Sequence, residues 1–442
     1  MTPQRFPGQT ITRRRFLRQA LLGAAVTATI PVFLQKTFAA MESAASASPV
    51  QTPTGRDGNI LVILQMAGGN DGLNTVVPYE DHLYYRARPT LGIRQADVLP
   101  LAEGLGLHPA LKGLRGLYDD GALGVIRGVG YPNPNRSHFR SMEIWQTASD
   151  AEAFEKHGWL GRYFDHACSG ADPAIGVAIA NAAPQAFSAK EPCGITFNNP
   201  RQYRWAAQGR DVEADALYAQ FNEMEEADSF EGKGGGTIGT LGERVTSGLS
   251  ARDFLQRTAV NASRTSAEVL TATRKPAPAT ALYPRSALGN NLNTVARMIA
   301  GGMSTRAYYV SQGGYDTHRG QMGSHARLLG DLGDSLQAFV RDLKAQGNFE
   351  RVTVMTFSEF GRRVEENGSS GTDHGAAGPM FFVGGGVKPG LYGKQPSLSD
   401  LNRGDLKFNV DFRSLYATVL EKCLGVESRP ILGRHFPLLP VI

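Results

Sequence analysis

Apolar residues along this chain fall into short unbroken runs that alternate with stripes at helical spacing. In "NILVILQMAGGNDG" the run from Ile60 to Met66 is stopped by glycines and predicts a short strand; its continuous apolar character suits a parallel sheet covered on both faces. "HPALKGLRGLYDDG" carries leucines at helical spacing and ends at a glycine, "ALGVIRGVG" predicts a second strand, and a helix opens near Ser137 in "NRSHFRSMEIWQTA". Strand, helix, strand, helix is the rhythm of an α/β domain. Between about 150 and 300 the rhythm loosens: a strand "AIGVAIAN", an acidic helix "DVEADALYAQFNEM", the glycine-rich "EGKGGGTIG" and a polar helical stretch near 250–275 read together as an insertion or cap. The glycine-rich piece lacks the Lys-Ser/Thr ending of a phosphate-binding loop and predicts a solvated connection. From Thr305 the pattern sharpens into a strand "RAYYV", a loop "SQGGYDTHRGQ", and a helix with Leu328, Leu329, Leu332, Leu336, Phe339, Val340 and Leu343 on one face. A strand "RVTVMTF", a loop "SEFGRRVEENGSSGTDHG", a strand "PMFFV" and a last helix after Asp411 complete the chain, with no internal repeat.

The first forty residues stand apart. "TRRRFLRQALLGAAVTATIPVFL" joins an arginine cluster to an apolar stretch of roughly fifteen residues, shorter than the twenty or so a membrane span needs. Small residues follow, with Ala39, Ala40 and Ala47 as alternative cleavage positions. The run Thr12 to Arg18 resembles a twin-arginine export signal, so residues 1–40 are expected to be a signal peptide, 41–57 a flexible Ser/Ala/Pro/Thr-rich linker, and 58–442 the folded domain. The expected partner during export is the twin-arginine translocase, and the expected location is the periplasm or beyond, with no stable membrane anchor after cleavage. That route commonly carries proteins already folded around a metal or cofactor.

Composition adds limits rather than direction. With 41% hydrophobic and 20% charged residues the chain is of ordinary globular make-up. Its formal charge of +5 comes from the leader, where six basic residues and no acid fall within the first forty; the remainder is close to neutral, which argues against a nucleic-acid partner. Cys168, Cys193 and Cys423 are widely spaced and form no C-x-x-C pair, so disulfides are not expected to frame the fold.

The chemistry gathers just after the predicted strands. Asp71 follows the first in "GGNDG", Asp316 and His318 follow "RAYYV" in "GGYDTH", and Ser358 and Glu359 follow "RVTVMTF". In a parallel α/β sheet the strand C-terminal ends share one edge, where ligand crevices form. Carboxylates brought together there repel unless a cation or a shared proton compensates, and one or two divalent ions supply that charge economically. A mixed oxygen and nitrogen donor set without thiolate suits Zn, Mn, Fe or Mg. Acids capping the following helices, with glycines merely making turns, are the alternative for any single loop.

Taken together, "ILVILQMAGGNDGLNTVVP", "RSHFRSMEIWQTA", "GGYDTH", "VMTFSEFGRR" and "TDHGAAGPMFFVGGGVKPGLYG" resemble domain-of-unknown-function family 1501, a group of twin-arginine-exported bacterial proteins placed in the alkaline phosphatase-like superfamily with sulfatases and phosphodiesterases. The resemblance spans roughly Asn59 to Leu424. It implies a three-layer α/β fold with a mostly parallel central sheet and an inserted cap. It also implies a metal-binding Asp after the first strand, matched by Asp71, and a nucleophile at a helix N-terminus. Ser137 matches the nucleophile, with plain N-capping as its alternative and His138 beside it as another functional group. The Asp-x-His spacing of Asp316 and His318 is shorter than the superfamily's usual Asp-x-x-x-His.

Two assignments remain for "TDHG". Asp373 and His374 are either the superfamily's Asp-His pair, or "SEFG" takes that place with Glu359 and His374 supplies the final histidine ahead of an apolar strand. The second accounts for His374 preceding "PMFFV" rather than following a strand. His435 is a rival final histidine, His325 reads as a surface residue, and Arg136, Arg362 and Arg363 are candidates for binding an anionic group. The three tryptophans, Trp145, Trp159 and Trp205, read as packing residues. The chain is thus expected to be an exported metal-dependent hydrolase of anionic phosphate or sulfate esters, using Ser137 or His138 with Asp71, Asp316, His318, Glu359, Asp373 and His374 around the metal; a non-catalytic metal- or glycan-binding envelope protein is the alternative.

Overall fold

The first strand, β1 (Ile60–Ala67), is buried almost end to end, and its side chains divide between two cores. Ile60, Val62, Leu64 and Met66 enter one; Leu61 and Ile63 enter the other. A strand apolar on both faces needs cover on both, and this is why the apolar run is continuous rather than alternating. In the computed structural model, which describes residues 54–169, 171–191, 193–200, 203, 265–274 and 281–442, that cover comes from helices on either side of a nine-stranded sheet.

The further strands are β2 (Leu123–Gly130), β3 (Gly176–Ile179), β4 (Ile195–Phe197), β5 (Ala307–Gly313), β6 (Val352–Phe357), β7 (Gly378–Gly384), β8 (Gly390–Tyr392) and β9 (Val410–Asp411). Their order across the sheet is β8, β2, β7, β6, β1, β5, β3, β4, with β9 paired to β2. β1 lies parallel between β5 and β6, with Leu61 opposite Ala307 and Ile60 opposite Val352. Only β7 runs against the rest, antiparallel to both β6 and β2. The sheet is therefore mostly parallel, as expected.

One face is covered by α1 (Lys112–Asp119), α4 (Ala287–Ala300) and α5 (Gln321–Gln346), the other by α2 (His138–Thr147), α3 (Trp159–Ala167) and α6 (Phe412–Thr418). The leucine stripe of α5 is buried from Leu329 to Leu343, and the helix stops where Gly347 takes a left-handed φ of 73° and returns its N–H to Leu343. Trp145 stacks on Phe412 and Trp159 on Tyr416 in the second core, so both are packing residues; Trp205 lies outside the described residues. Cys168, Cys193 and Cys423 are free thiols. No helix among the described residues is long and apolar enough to cross a membrane.

Part of the span expected to be an insertion or cap joins the sheet layers: the strand expected at "AIGVAIAN" is β3, which pairs with β5, β4 extends the edge beyond it, and α4 packs on α5. The acidic helix, the glycine-rich loop and most of the 250–275 stretch fall outside the described residues, as do residues 1–40 and most of the linker.

His325 is a correction, since it is buried and not on the surface. It lies on the buried face of α5, where its Nε2 meets Asn70 Oδ1 at 2.9 Å and its ring packs edge-on to His108 and Tyr315. Burial drives both imidazoles down to a pKa of about 4, with the nearby Asp71 pulling the other way. The ordinary value is 6.5, so between pH 6.5 and 4 the unfolded chain binds more protons than the folded one. Stability from these groups is complete above 6.5 and is lost as the pH falls toward 4. Thermal melts across that window are expected to show a falling Tm, and His325→Gln, which keeps a donor for Asn70, is expected to flatten the slope; an unchanged slope would contradict the assignment.

Candidate metal centre

The parallel strands deliver their C-terminal loops to one edge of the sheet, and β7, running the other way, starts there. This explains the placement of His374 ahead of its strand. The segment preceding β7 folds back along the loop after β6: Gly375 donates to Gly361 O at 2.9 Å, Arg363 donates to Asp373 O at 3.0 Å, and Arg362 and His374 form an isolated bridge. A side chain at 375 would put its Cβ 2.5 Å from the Arg362 carbonyl carbon, so only glycine allows this approach. Gly68, at the end of β1, has φ 121° and would set a Cβ 2.4 Å from the Asp316 nitrogen; its conformation lets the β1 and β5 loops touch.

Four side chains from three segments converge in this contact region. His138, at the start of α2, Asp316 and His374 offer donor atoms that all lie within 4.8 Å of one another. His318 joins them: its Nε2 lies 2.9 Å from His374 Nε2 and 3.1 Å from Asp316 Oδ1. His374 Nε2 is 3.2 Å from Asp316 Oδ1, and His138 Nε2 is 3.5 Å from Oδ2.

The outer nitrogen of each ring faces an acceptor. His138 Nδ1 meets Glu359 Oε1 at 2.9 Å, His318 Nδ1 meets Asp373 Oδ1 at 3.2 Å, and His374 Nδ1 meets the Arg136 carbonyl at 2.8 Å. A carbonyl only accepts, so His374 carries its proton on Nδ1; the same tautomer satisfies the other two rings. Three Nε2 lone pairs then point inward at a carboxylate, an arrangement that calls for a cation. Burial holds His374 below the ordinary imidazole range, against the opposing pull of the Arg136 carbonyl and Asp316, so this ring is neutral at neutral pH. Asp316 is ionised: partial burial raises it, but the hydrogen bond and charge of Arg362 weigh against this, and its pKa lies at about 2. Donors around one ion at 2.0–2.1 Å in a tetrahedral arrangement are roughly 3.4 Å apart. His138, Asp316 and His374 thus form a donor set that could hold one divalent ion, with His318 Nε2 beside it against His374 and Asp316 Oδ1.

Several residues take places other than those expected. Asp71 is fully buried and ion-paired with the equally buried Arg88, and it also accepts from Gln321 and the Asn74 N–H. Burial raises its pKa and Arg88 more than reverses that. Glu359 is buried with Oε1 shared between the Gly68 N–H at 2.8 Å and His138, and Asp373 shares Oδ1 between Asn367 and His318; both act through a histidine rather than as ligands. Arg362 is sealed, with its guanidinium donating to Gly69 O, Thr372 O, Tyr315 O and Asp316, so it offers nothing to a substrate anion. Arg136 turns its side chain to Asp405 and contributes only its carbonyl to the cluster. Arg363 lies beside Asp405 as well, and His435 is exposed near the C-terminus. Ser358 is a structural hydroxyl, accepting from Asn70 and donating to Met66 O. Ser137 does occupy the N-cap of α2 and is exposed, but its side chain makes no capping hydrogen bond.

Arg88, Gln321 and the Arg136 carbonyl escaped the sequence reading. Arg88 follows a short helix and Gln321 opens α5, neither a position that stands out in sequence, and a backbone oxygen leaves no trace in residue type.

A family model described as a protein of unknown function (DUF1501) matches residues 125–438. Comparison with curated proteins gives no match. Among solved structures, the lipoteichoic acid synthase LtaP from Listeria monocytogenes is 9% identical, with 89% of this chain and 80% of that chain covered at a TM-score of 0.35. A protein of the alkaline phosphatase superfamily from Vibrio parahaemolyticus is 10% identical, covering 92% and 78% at 0.35. The PsFucS1 sulfatase from Pseudoalteromonas sp. is 10% identical, covering 87% and 71% at 0.35.

Glu359→Gln is expected to lower metal affinity by about 10- to 100-fold, because the amide weakens the hold on the His138 tautomer. Asp373→Asn, at a more exposed position, is expected to lower it less. Titration against a competing chelator reads both; unchanged affinity in folded Glu359→Gln protein would remove Glu359 from the centre.

Proposed function

The chain belongs to the DUF1501 family, and from that premise we propose that it is an exported, metal-dependent hydrolase of phosphate or sulfate esters. The observation that carries this reading is the inward convergence of three imidazole Nε2 atoms on the ionised Asp316, with each Nδ1 anchored. Bound there, a divalent ion supplies charge neutralisation and Lewis-acid polarisation of an ester oxygen. The chain's own residues supply the rest. Glu359, Asp373 and the Arg136 carbonyl hold the Nδ1 protons and thereby fix the rings. Arg362 keeps Asp316 ionised at neutral pH. The free N–H groups at the start of α2 favour an oxyanion, and the exposed Ser137 hydroxyl next to His138 is the nucleophile this reading assigns. Export rests on the arginine-rich leader of residues 1–40, with the periplasm or the medium as destination.

One observation favours a second reading, a metal-binding envelope protein without turnover. Among the described residues no hydrogen bond links the Ser137 hydroxyl to any side chain of the cluster, so no base is in place to activate it.

The deciding experiment is elemental analysis of full-length protein exported by its own leader, with turnover of aryl phosphate and aryl sulfate esters read on the same samples. Asp316→Ala and His374→Ala are expected to lose the metal and at least about 100-fold of turnover. Ser137→Ala is expected to keep the metal and lose turnover. Metal-free, folded and inert wild-type protein would overturn the hydrolase reading; tightly bound metal without turnover would move the assignment to the second.

A further inference from the structure

The acids at the strand ends do not all wait for a metal, because two buried guanidinium groups already answer them. Arg88 and Asp71 pair with both side chains fully removed from solvent, and Arg88 reaches on to the carbonyls of Val364 and Arg363 at 2.9 Å each. Arg362 is likewise sealed. Its Nε donates to Gly69 O at 2.6 Å, its Nη1 to Thr372 O at 2.8 Å, and its Nη2 to Gly68 O, to Tyr315 O at 2.9 Å and to Asp316 Oδ1 at 2.8 Å. Four main-chain carbonyls and a carboxylate, drawn from the β1 loop, the β5 loop and the segment before β7, thus surround one organic cation. That is the oxygen-rich environment a hard metal ion would otherwise fill. A guanidinium cannot be deprotonated in a protein, so its charge is permanent.

Building on the metal-centre reading above, we infer that the site takes one divalent ion and no second, and that Arg362 is its other, built-in cation, a positioning residue that fixes the Asp316 carboxylate against the three histidines. Asp71 lies outside the centre because Arg88 neutralises it. Its link to the site is indirect: Gln321 donates to Asp71 and accepts from Thr317 at 3.0 Å and Thr372 at 2.6 Å, the threonines beside Asp316 and Asp373.

The test strips full-length wild-type protein with chelator, reloads it by dialysis against Zn or Mn, and counts metal per chain. One ion is expected. Two would overturn the inference while leaving the metal reading intact; none would remove both. In a second arm Asp71→Asn is combined with Arg88→Met, since removing both partners of a buried pair is tolerated better than stranding one charge. This variant is expected to bind one ion with unchanged affinity, and loss of the ion from folded protein would make Asp71 a ligand and overturn the assignment. In a third arm Arg362→Gly is expected to change metal affinity by about tenfold or more. Guanidinium chloride in the millimolar range is expected to return the affinity toward the wild-type value, whereas sodium chloride at the same concentration is not. Wild-type affinity in Arg362→Gly, or indifference to guanidinium, would remove the role given to Arg362.

Discussion

Two imidazole nitrogens cannot face each other at 2.9 Å with both lone pairs inward unless positive charge lies between them. The rest of the centre follows from that constraint. A backbone carbonyl and two carboxylates hold the outer nitrogens, so the rings cannot relieve the conflict by changing tautomer or turning over. The loops cannot relieve it by drifting apart, because Arg362 ties three of them together and glycine at 68 and 375 lets them sit in contact. The geometry is enforced by the chain before any ligand arrives, which is what a preorganised site requires.

The scaffold was legible because its signals are collective. Largely apolar runs at 60–66 and 352–357, together with a leucine stripe from Leu328 to Leu343, imply a covered parallel sheet whatever any single residue does. The sheet edge was legible for the same reason, and with it the approach of Asp316, His318, His374 and the start of α2. Roles within that edge were not. Asp71 and Asp316 look alike in sequence, each an acid among glycines after a strand. What separates them is Arg88, seventeen residues beyond Asp71 and just past the short helix His82–Ala87, and only the folded chain shows that its guanidinium turns inward. Glu359 and Asp373 likewise lie at ligand-like positions but face the outer side of a ring, a difference of one side-chain length.

The error at His325 comes from reading local polarity as exposure. A histidine one turn into a helix carries too few neighbours of its own type to announce burial; a partner elsewhere in the chain, Asn70, decides it.

The reversed direction of β7 has a bearing on assembly. His138 follows the second strand of the sheet, Asp316 and His318 follow the fifth, and His374 stands before the seventh, so the donors are separated by up to 236 residues and meet only when the late, antiparallel strand has slotted between β2 and β6. Such long-range closure is a slow and late event in folding. An ion held by these donors would therefore bind only the finished sheet and act as a latch that records completion, its affinity adding to the stability of the native state and of no earlier one.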